Sequence, residues 1–214
     1  MTAGAASDQR CYPAVGMPSR LSASARREQL LAVALSTFAR AGYHETSMND
    51  VADAAGVTKP VLYQHFESKR ELYQALLDDV GERLVAAITT ATNGIESGRE
   101  QTQRGFRAYF RWVADHPEAF VLLFGGASRQ DAEFAEAVRR FTAEAAHAIA
   151  PLIAAGIGDE HRFTLAHALV GLSEGASRRL VERGENFDPD DVADQLSAFA
   201  WAGLRGIAQP VAVR

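Results

Sequence analysis

Residue types that contact DNA are concentrated in one short segment of the chain, between Thr58 and Lys69. Lysine can pair with guanine or phosphate and glutamine with adenine. Tyrosine and histidine can hold phosphate, and valine or proline can pack on a thymine methyl group. All these types occur in one row of positions that a single leucine interrupts: Lys59, Pro60, Val61, Tyr63, Gln64 and His65. This composition predicts a surface that contacts nucleic acid.

The segment needs a rigid support, and the flanking sequence predicts one made of helices. Apolar residues recur at three- and four-residue spacing over residues 23–41, which is typical of an amphipathic helix. Ser47 with Asp50, and Ser68 with Glu71, have the spacing of a capping box. These pairs predict the starts of two further helices.

Between the two caps, the sequence predicts a short helix that begins at Thr58 and ends near Phe66. Gly56 permits the left-handed turn before it, Thr58 can cap it, and Pro60 is tolerated in its first turn because no N–H donor is needed there. Leu62 and Phe66 lie one turn apart and would both face inward. Two short helices joined by a glycine-containing turn form a helix-turn-helix, which places its second helix in the DNA major groove.

The rest of the chain also has helical periodicity, and no stretch alternates convincingly as a strand would. The predicted fold class is therefore all-α, with an N-terminal three-helix helix-turn-helix domain followed by a helical bundle. Further helices are predicted near residues 99–115, 117–125, 131–155, 160–183 and 189–207. The expected division into a disordered arm, a DNA-binding domain and a helical body is 1–19, 20–67 and 68–214.

The charge of the chain is unevenly distributed. The formal net charge is −5, yet residues 20–70 carry seven lysines and arginines against five acidic residues. The residues that follow carry fourteen arginines against twenty-one acidic residues. A mildly basic head on an acidic body would confine DNA contact to the head. Chance unevenness explains the charge, taken alone, equally well.

Cysteine content and hydropathy exclude several classes of protein. The single cysteine, Cys11, leaves no disulfide framework and no cysteine-based zinc site. No apolar run is long enough to span a membrane, and the first twenty residues lack the pattern of a secretory signal. We therefore expect a cytoplasmic protein, whose translation start is either Met1 or Met17.

Five short motifs occur in register within about fifty residues, roughly a quarter of the chain: Thr46-Ser47-Met48, Asp50-Val51-Ala52, Ala55 to Lys59, Leu62-Tyr63-x-His65-Phe66 and Ser68-Lys69-x-x-Leu72. Together they resemble the N-terminal signature of the tetracycline-repressor (TetR) family. The resemblance implies DNA binding, with phosphates held by Tyr63, His65 and Lys69, backbone contacts at helix starts by Thr46 and Thr58, and base contacts by Lys59, Val61 and Gln64.

Each of these side chains also has a structural interpretation. Tyr63 could pack its ring on the first helix, and a single histidine such as His65 is often half-buried. Lys59 and Lys69 would, taken alone, be solvated charges. Lys69 follows the Ser68 cap, where its ammonium and the helix amides could meet one phosphate.

The resemblance also implies that the helical body binds a ligand and forms a dimer. Seven aromatic residues could line an apolar cavity between its helices, although core packing is an equal explanation for any one of them: Tyr109, Phe110, Trp112, Phe120, Phe124, Phe134 and Phe141. The segment WVADHPEAFVLLFG resembles actinobacterial TetR-type regulators of lipid metabolism, which implies an acyl or lipid-like effector. Arg178 could pair with an anionic group on such a molecule.

The last two predicted helices carry apolar and small residues on broad faces. They could pair with a second copy in a four-helix interface, or pack within their own chain. The candidate dimer residues are Leu165, Leu169, Leu172, Ala176, Leu180, Leu196, Phe199 and Gly203.

Three other interpretations fit less of the sequence. The segment GLSEG, residues 171–175, matches the nucleophile elbow of serine hydrolases, but the required strand is not predicted and no histidine follows Ser173. The six histidines show no metal-ligand spacing, and no nucleotide-binding loop occurs, so we expect neither a metal nor a cofactor. A lipid-carrying helical protein that does not bind DNA would leave the polar helix without a role.

The sequence therefore predicts a ligand-responsive transcriptional regulator that is not an enzyme. As a homodimer it would repress transcription from a palindromic operator and be released by a small apolar or acyl-type effector, without contacting a membrane.

Overall fold

The computed structural model describes residues 21–125, 130–153, 156–183 and 187–207. In these ranges the regular structure is helical and no strand occurs, so the all-α prediction is confirmed. The predicted N-terminal arm lies outside the described residues. The helices are α1 Ala23–Ala41, α2 Met48–Ala54, α3 Lys59–Tyr63, α4 Lys69–Thr92, α5 Gly98–Asp115, α6 Pro117–Phe124, α7 Ala132–Ile149, α8 Asp159–Arg183 and α9 Pro189–Ile207. None of them is both long and apolar enough to cross a membrane.

Two predicted helices are too long. The helix expected over residues 131–155 ends at Ile149 and continues as a 3-10 turn, Ala150–Leu152. Pro151 explains the end, because proline has no N–H to donate and its ring clashes with the preceding helical turn. The helix expected to reach Phe66 ends at Tyr63, although backbone bonds of the helical type continue as far as the Phe66 N–H.

The predicted caps of α2 and α4 are both present. The Ser47 hydroxyl accepts from the Asp50 N–H at 3.2 Å, and the Asp50 carboxylate accepts from the Ser47 N–H at 2.7 Å, which completes a capping box. The Ser68 hydroxyl accepts from the Glu71 N–H at 3.1 Å. The Glu71 carboxylate accepts from the Glu67 N–H, one residue before the cap.

The helix-turn-helix is held by side chains that the sequence pattern placed inward. Leu30 and Leu62 are completely buried and Phe66 is 1% exposed. Gly56, between α2 and α3, has φ of 63°, a left-handed conformation that costs an L-residue with a side chain roughly 1–2 kcal/mol. This turn sets the angle at which α3 leaves α2. We call α1 to α3 the head, and α4 to α9 the body.

Helix α4 joins the head to the body. It packs on α1, α5 and α7. Helix α5 also packs on α9, α7 packs on α8, and α6 lies against α1. One hydrophobic core therefore continues from Leu30 in the head to Ala200 in the body.

Candidate DNA-binding surface and ligand cavity

The side chains of α3 divide into an anchor and an exposed face. Leu62 points into the head, whereas Lys59, Pro60 and Gln64 are exposed and Tyr63 keeps 41% of its surface accessible. The Lys59 ammonium lies 5.8 Å from the centre of the Tyr63 ring, one helical turn away. This face presents a cation, an aromatic hydroxyl and an amide together, the donor types that contact DNA phosphates and base edges.

Two other predicted contacts are half-buried. Val61 and His65 lie at the edges of the exposed face. The Arg27 guanidinium, 4.8 Å from the centre of the Phe66 ring, adds a positive charge from α1 near the end of this segment. The sequence pattern did not assign a role to Arg27, because only packing brings α1 to this position.

The start of α2 faces α3 across a shallow depression. Its walls include His44 and Asn49, which were not predicted, together with Lys59 and Tyr63. Both unpredicted residues are exposed and flank the capping box. A position beside a helix N-terminus is where phosphate oxygens bind, so the cap itself was the signal that could have identified them.

The two threonines with predicted DNA contacts differ in exposure. Thr46 is 2% exposed and its hydroxyl donates to the Gly42 carbonyl at 2.7 Å, so its side chain braces the turn and is not part of the accessible surface. Thr58 occupies the N-cap position of α3 but its side chain makes no capping bond. Because Thr58 is exposed, its predicted contact with the DNA backbone stays a prediction.

Lys69 is also placed differently from its predicted role. Its ammonium donates to the carbonyls of Tyr43 at 2.8 Å, Thr46 at 2.9 Å and His44 at 3.3 Å. The ammonium therefore points into the turn between α1 and α2, at the edge of the depression that Lys69 lines together with Lys59 and Tyr63. Phosphate contact by Lys69 stays a prediction, and it would have to compete with these three bonds.

A mainly apolar cavity lies between α4, α5, α7 and α8 in the body. The space between atoms that its walls border is about 820 Å³, a figure that includes open solvent outside the cavity. Three of the predicted aromatic residues line it, namely Tyr109, Phe124 and Phe141. Aliphatic residues form the largest group in the wall, from Leu84 and Ile88 on α4 to Leu169 and Val170 on α8. Sequence analysis missed them because such residues also form ordinary cores.

Four predicted cavity residues are corrected. Phe110 is completely buried in the core, Trp112 stacks on His116 with ring centres 5.0 Å apart, and Phe120 lies behind Phe124. None of these three lines the cavity. Phe134 packs instead at the junction with the head.

At that junction, Phe134 packs against two tyrosines. Its ring centre lies 4.9 Å from that of Tyr43 and 4.5 Å from that of Tyr73. Arg70 lies 5.0 Å above the Phe134 ring and binds the Asp131 carboxylate with two hydrogen bonds of 2.8 and 3.0 Å. The ion pair thus connects the start of α7 to the first turn of α4, and the Tyr43 ring extends the aromatic cluster to the head.

The predicted cation of the cavity is absent from its wall. Arg178 binds Glu174, and of these two it is Glu174 that lines the cavity. No lysine, arginine or histidine occurs among the described residues of the wall. An anionic ligand group would therefore meet a carboxylate at this end, contrary to the prediction for Arg178.

Tyr109 supplies an uncharged donor on the same side of the cavity. Its hydroxyl is buried beside Ser177 without an aligned hydrogen bond. Burial raises the pKa of Tyr109, so the phenol keeps its proton at neutral pH. A buried donor without a well-aligned acceptor is unfavourable, and a bound neutral acceptor would remove that cost.

A second cavity adjoins the first and shares six wall residues with it, at the ends of α4 and α7 and the start of α5. They are Ile88, Thr92, Gln101, Ala145, Ile149 and Leu152. Its remaining wall includes Asn93 and Gly94 in the loop after α4. The wall of the second cavity is the more polar of the two.

Comparisons with known proteins identify the family. The model of bacterial regulatory proteins of the tetR family matches residues 30–76, and that of a tetracyclin repressor-like C-terminal domain matches residues 99–203. The HTH-type transcriptional activator FasR of Mycolicibacterium smegmatis is 34% identical over 188 residues, which cover 87% of this chain and 86% of FasR. The chain belongs to the TetR family. It is a DNA-binding transcriptional regulator with a helix-turn-helix, as the motifs predicted.

Solved structures of TetR-family regulators have the same architecture. A TetR-like transcriptional regulator from Rhodococcus sp. RHA1 is 33% identical, with a TM-score of 0.70 over 87% of this chain and all of that one. Bacillus subtilis FadR, crystallised in complex with stearoyl-CoA, has a TM-score of 0.71. It covers 82% of this chain and 98% of its own at 13% identity, so the similarity concerns the fold alone.

The outer face of this TetR-family protein is formed by α8 and α9. The predicted dimer residues of α8, such as Leu165, are half-buried against the core, and Leu169 also lines the cavity. Phe199 on α9 is 70% exposed and Gly203 is exposed beside it. A dimer contact through Leu165, Leu169, Leu172, Ala176, Leu180, Leu196, Phe199 and Gly203 stays a prediction.

The GLSEG segment lies inside α8. The Ser173 hydroxyl donates to the Leu169 carbonyl at 3.0 Å, as serine commonly does within a helix. A nucleophile elbow needs a sharp turn between strand and helix, which a continuous helix does not provide. The described residues also contain no group of three or more potential metal ligands.

Proposed function

We propose that this TetR-family regulator binds a palindromic operator as a homodimer and responds to a small apolar effector held in its body. The observation that carries the DNA-binding assignment is the division of α3 into a buried anchor, Leu62, and an exposed face with Lys59, Tyr63 and Gln64. Five residues are too few to form a stable helix alone. Anchored by Leu62, the helix presents its remaining side chains to a partner.

The exposed strip along α8 and α9 supports the homodimer. An apolar side chain as exposed as Phe199 is typical of a protein contact surface. Gly171 and Gly175 on α8, and Gly203 and Gly206 on α9, have open space where a Cβ would lie, so packing within one chain does not require glycine there. Pairing of these helices with a second copy would give a two-fold interface. The two heads could then read half-sites about 34–36 Å apart.

The cavity supports an apolar effector with an uncharged polar group. A free carboxylate would meet Glu174, whose charge is already paired with Arg178, and would find no cation of its own among the described residues of the wall. The carbonyl of an ester or thioester is neutral and could accept from the Tyr109 hydroxyl. An acyl chain in thioester or ester form therefore fits better than a free fatty acid, and the FadR structure of the same fold contains a thioester, stearoyl-CoA.

Effector control requires unequal affinity for two dimer geometries. We propose that the effector favours a geometry whose heads do not match the half-site spacing, so that it lowers operator affinity. Repression stays the predicted sign, although the relative FasR is named an activator. Transcription from a promoter carrying the operator, measured with and without the protein, decides the sign.

The test of DNA binding begins with selection from a random pool of duplexes. We expect the full-length protein to enrich an inverted repeat, and Tyr63→Ala to bind the selected duplex on the order of ten-fold more weakly, since a hydrogen bond to a charged group contributes roughly 1.5–3 kcal/mol. Arg139→Ala, which removes an exposed cation from the body, is the control and should bind normally. Failure to enrich any duplex would contradict the proposal.

The effector is tested by thermal unfolding of the protein with long-chain acyl-CoA, the matching free fatty acid, or coenzyme A alone. Of these three ligands, we expect only acyl-CoA to raise the unfolding temperature. The rise should be smaller for Tyr109→Phe, which lacks only the hydroxyl. Equal stabilisation by the free acid would contradict the argument from Glu174.

A further inference from the structure

The chain contains two lysines, Lys59 and Lys69, and both lie in the region that resembles DNA-binding motifs. Their surroundings differ. Lys59 is exposed on α3, and the described contact of its ammonium is with the neighbouring Tyr63 ring. Lys69 is half-buried in the first turn of α4, where its ammonium contacts the backbone of the head, between α1 and α2.

The contacts of Lys69 match the bonding capacity of an ammonium group. The group has three N–H donors and no acceptor. The three carbonyls that accept from it belong to consecutive or nearly consecutive residues, Tyr43, His44 and Thr46, at 2.8, 3.3 and 2.9 Å. The Tyr43 ring also lies 4.5 Å from the nitrogen, within the range of a cation–π interaction.

This turn determines where α2 begins. Thr46 is bonded through its carbonyl to Lys69 and through its hydroxyl to the Gly42 carbonyl, and the next residue, Ser47, caps α2. The other end of this turn is fixed because the Tyr43 ring packs on Phe134 of α7. Lys69 therefore connects the first turn of α4 to the start of α2.

We propose that Lys69 is a positioning residue, which holds the start of α2, and through it α3, at the angle required for DNA binding. Lys59 is the lysine that contacts DNA. The proposal rests on the proposed DNA-binding function and differs from the role that the family resemblance implies for Lys69. A phosphate at the Lys69 ammonium would have to replace bonds that hold the turn together.

The first experiment uses the wild-type protein without DNA. With only two lysines, 15N-lysine labelling gives two side-chain ammonium signals, which single substitutions assign. The Lys69 ammonium hydrogens should exchange with water more slowly than those of Lys59, because carbonyls shield them. Equal exchange rates would overturn the positioning role of Lys69. This result does not depend on whether any variant folds.

The second experiment compares Lys59→Met with Lys69→Met on a duplex selected with the wild-type protein. Loss of one phosphate contact makes the slope of log affinity against log salt less negative by about 0.9 per subunit. Lysine can pair with phosphate as well as with guanine, and for Lys59 we expect a phosphate contact, so Lys59→Met should show this change. Lys69→Met should bind more weakly at every salt concentration with the wild-type slope, and its amides at residues 43–47 should lose protection from hydrogen exchange.

The outcomes separate the proposal from the function on which it rests. A decreased slope for Lys69→Met with normal protection of residues 43–47 would show that Lys69 contacts phosphate, and would overturn the positioning role. Failure of the wild-type protein to enrich any duplex would instead contradict the proposed DNA binding. The exchange of the ammonium hydrogens would still test whether Lys69 holds the turn between α1 and α2.

Discussion

The head carries its candidate contacts on the outside of a short helix, whereas the body carries them on the inner wall of a cavity. In the head, burial of Leu62 and Phe66 fixes the helix and leaves the exposed side chains free to contact a partner. In the body, residues that would otherwise be ordinary core, such as Leu84 and Phe141, enclose a space. Substitutions on the exposed face of the head should therefore change binding alone, whereas substitutions in the cavity wall should change binding and stability together.

The largest expected effect tests the anchor of the head. Leu62→Ala should lower the free energy of unfolding by about 2–5 kcal/mol, because it leaves a cavity at a completely buried position. Gln64→Ala, on the exposed side of the same turn, should change it by less than about 0.5 kcal/mol and alter DNA binding only. Urea unfolding measures both. Similar losses would show that the helix has no separate anchor and contact face.

A smaller effect is expected at the cavity wall. A Cβ on Gly81 of α4 would lie 2.9 Å from Cδ2 of Phe141, whose ring lines the cavity. Overpacking costs typically 1–3 kcal/mol, and alanine gains about 1 kcal/mol of helix propensity over glycine, so Gly81→Ala should destabilise by up to about 2 kcal/mol. It should also weaken effector binding, since Phe141 must move.

Gly171→Ala is the matched control for Gly81→Ala, because the added methyl group would meet no atom of its own chain within 4 Å. It should stabilise the fold by up to about 1 kcal/mol through helix propensity. If α8 packs closely on a second copy, the same methyl group should weaken the dimer, which analytical ultracentrifugation measures. If Gly81→Ala and Gly171→Ala unfold at the same denaturant concentration, the close contact between α4 and α7 is contradicted.

The smallest effect concerns the junction between the two regions. Hydrogen bonds from Arg70 lower the pKa of Asp131. A carboxylate whose folded pKa is depressed contributes stability above its unfolded pKa of about 3.9, and this contribution is lost as the pH falls through the lower, folded value. Asp131→Asn should therefore flatten the loss of stability below about pH 4. The urea midpoint of unfolding, measured for both proteins between neutral pH and about pH 3, checks this. If it falls equally in the wild type and in Asp131→Asn, the pairing with Arg70 is contradicted.

Local signals predicted the head well. The capping box of Ser47 and Asp50, the turn at Gly56 and the inward pair Leu62 and Phe66 each depend on residues a few positions apart. The cavity was predicted in outline only, and four of the seven aromatic residues assigned to it do not line it. An aromatic residue such as Phe134 has the same helical spacing whether it lines a cavity, fills a core or joins two regions.

The sequence by itself determined the all-helical fold, the caps, the order of the helices and the family, because these depend on short-range periodicity and on motifs in register. Only the tertiary structure decided which face of each body helix meets the cavity and which carbonyl groups accept hydrogen bonds from Lys69. The physical reason is distance along the chain. The Lys69 ammonium donates to the carbonyl of Tyr43, 26 residues earlier, and no local pattern encodes a contact that packing alone creates.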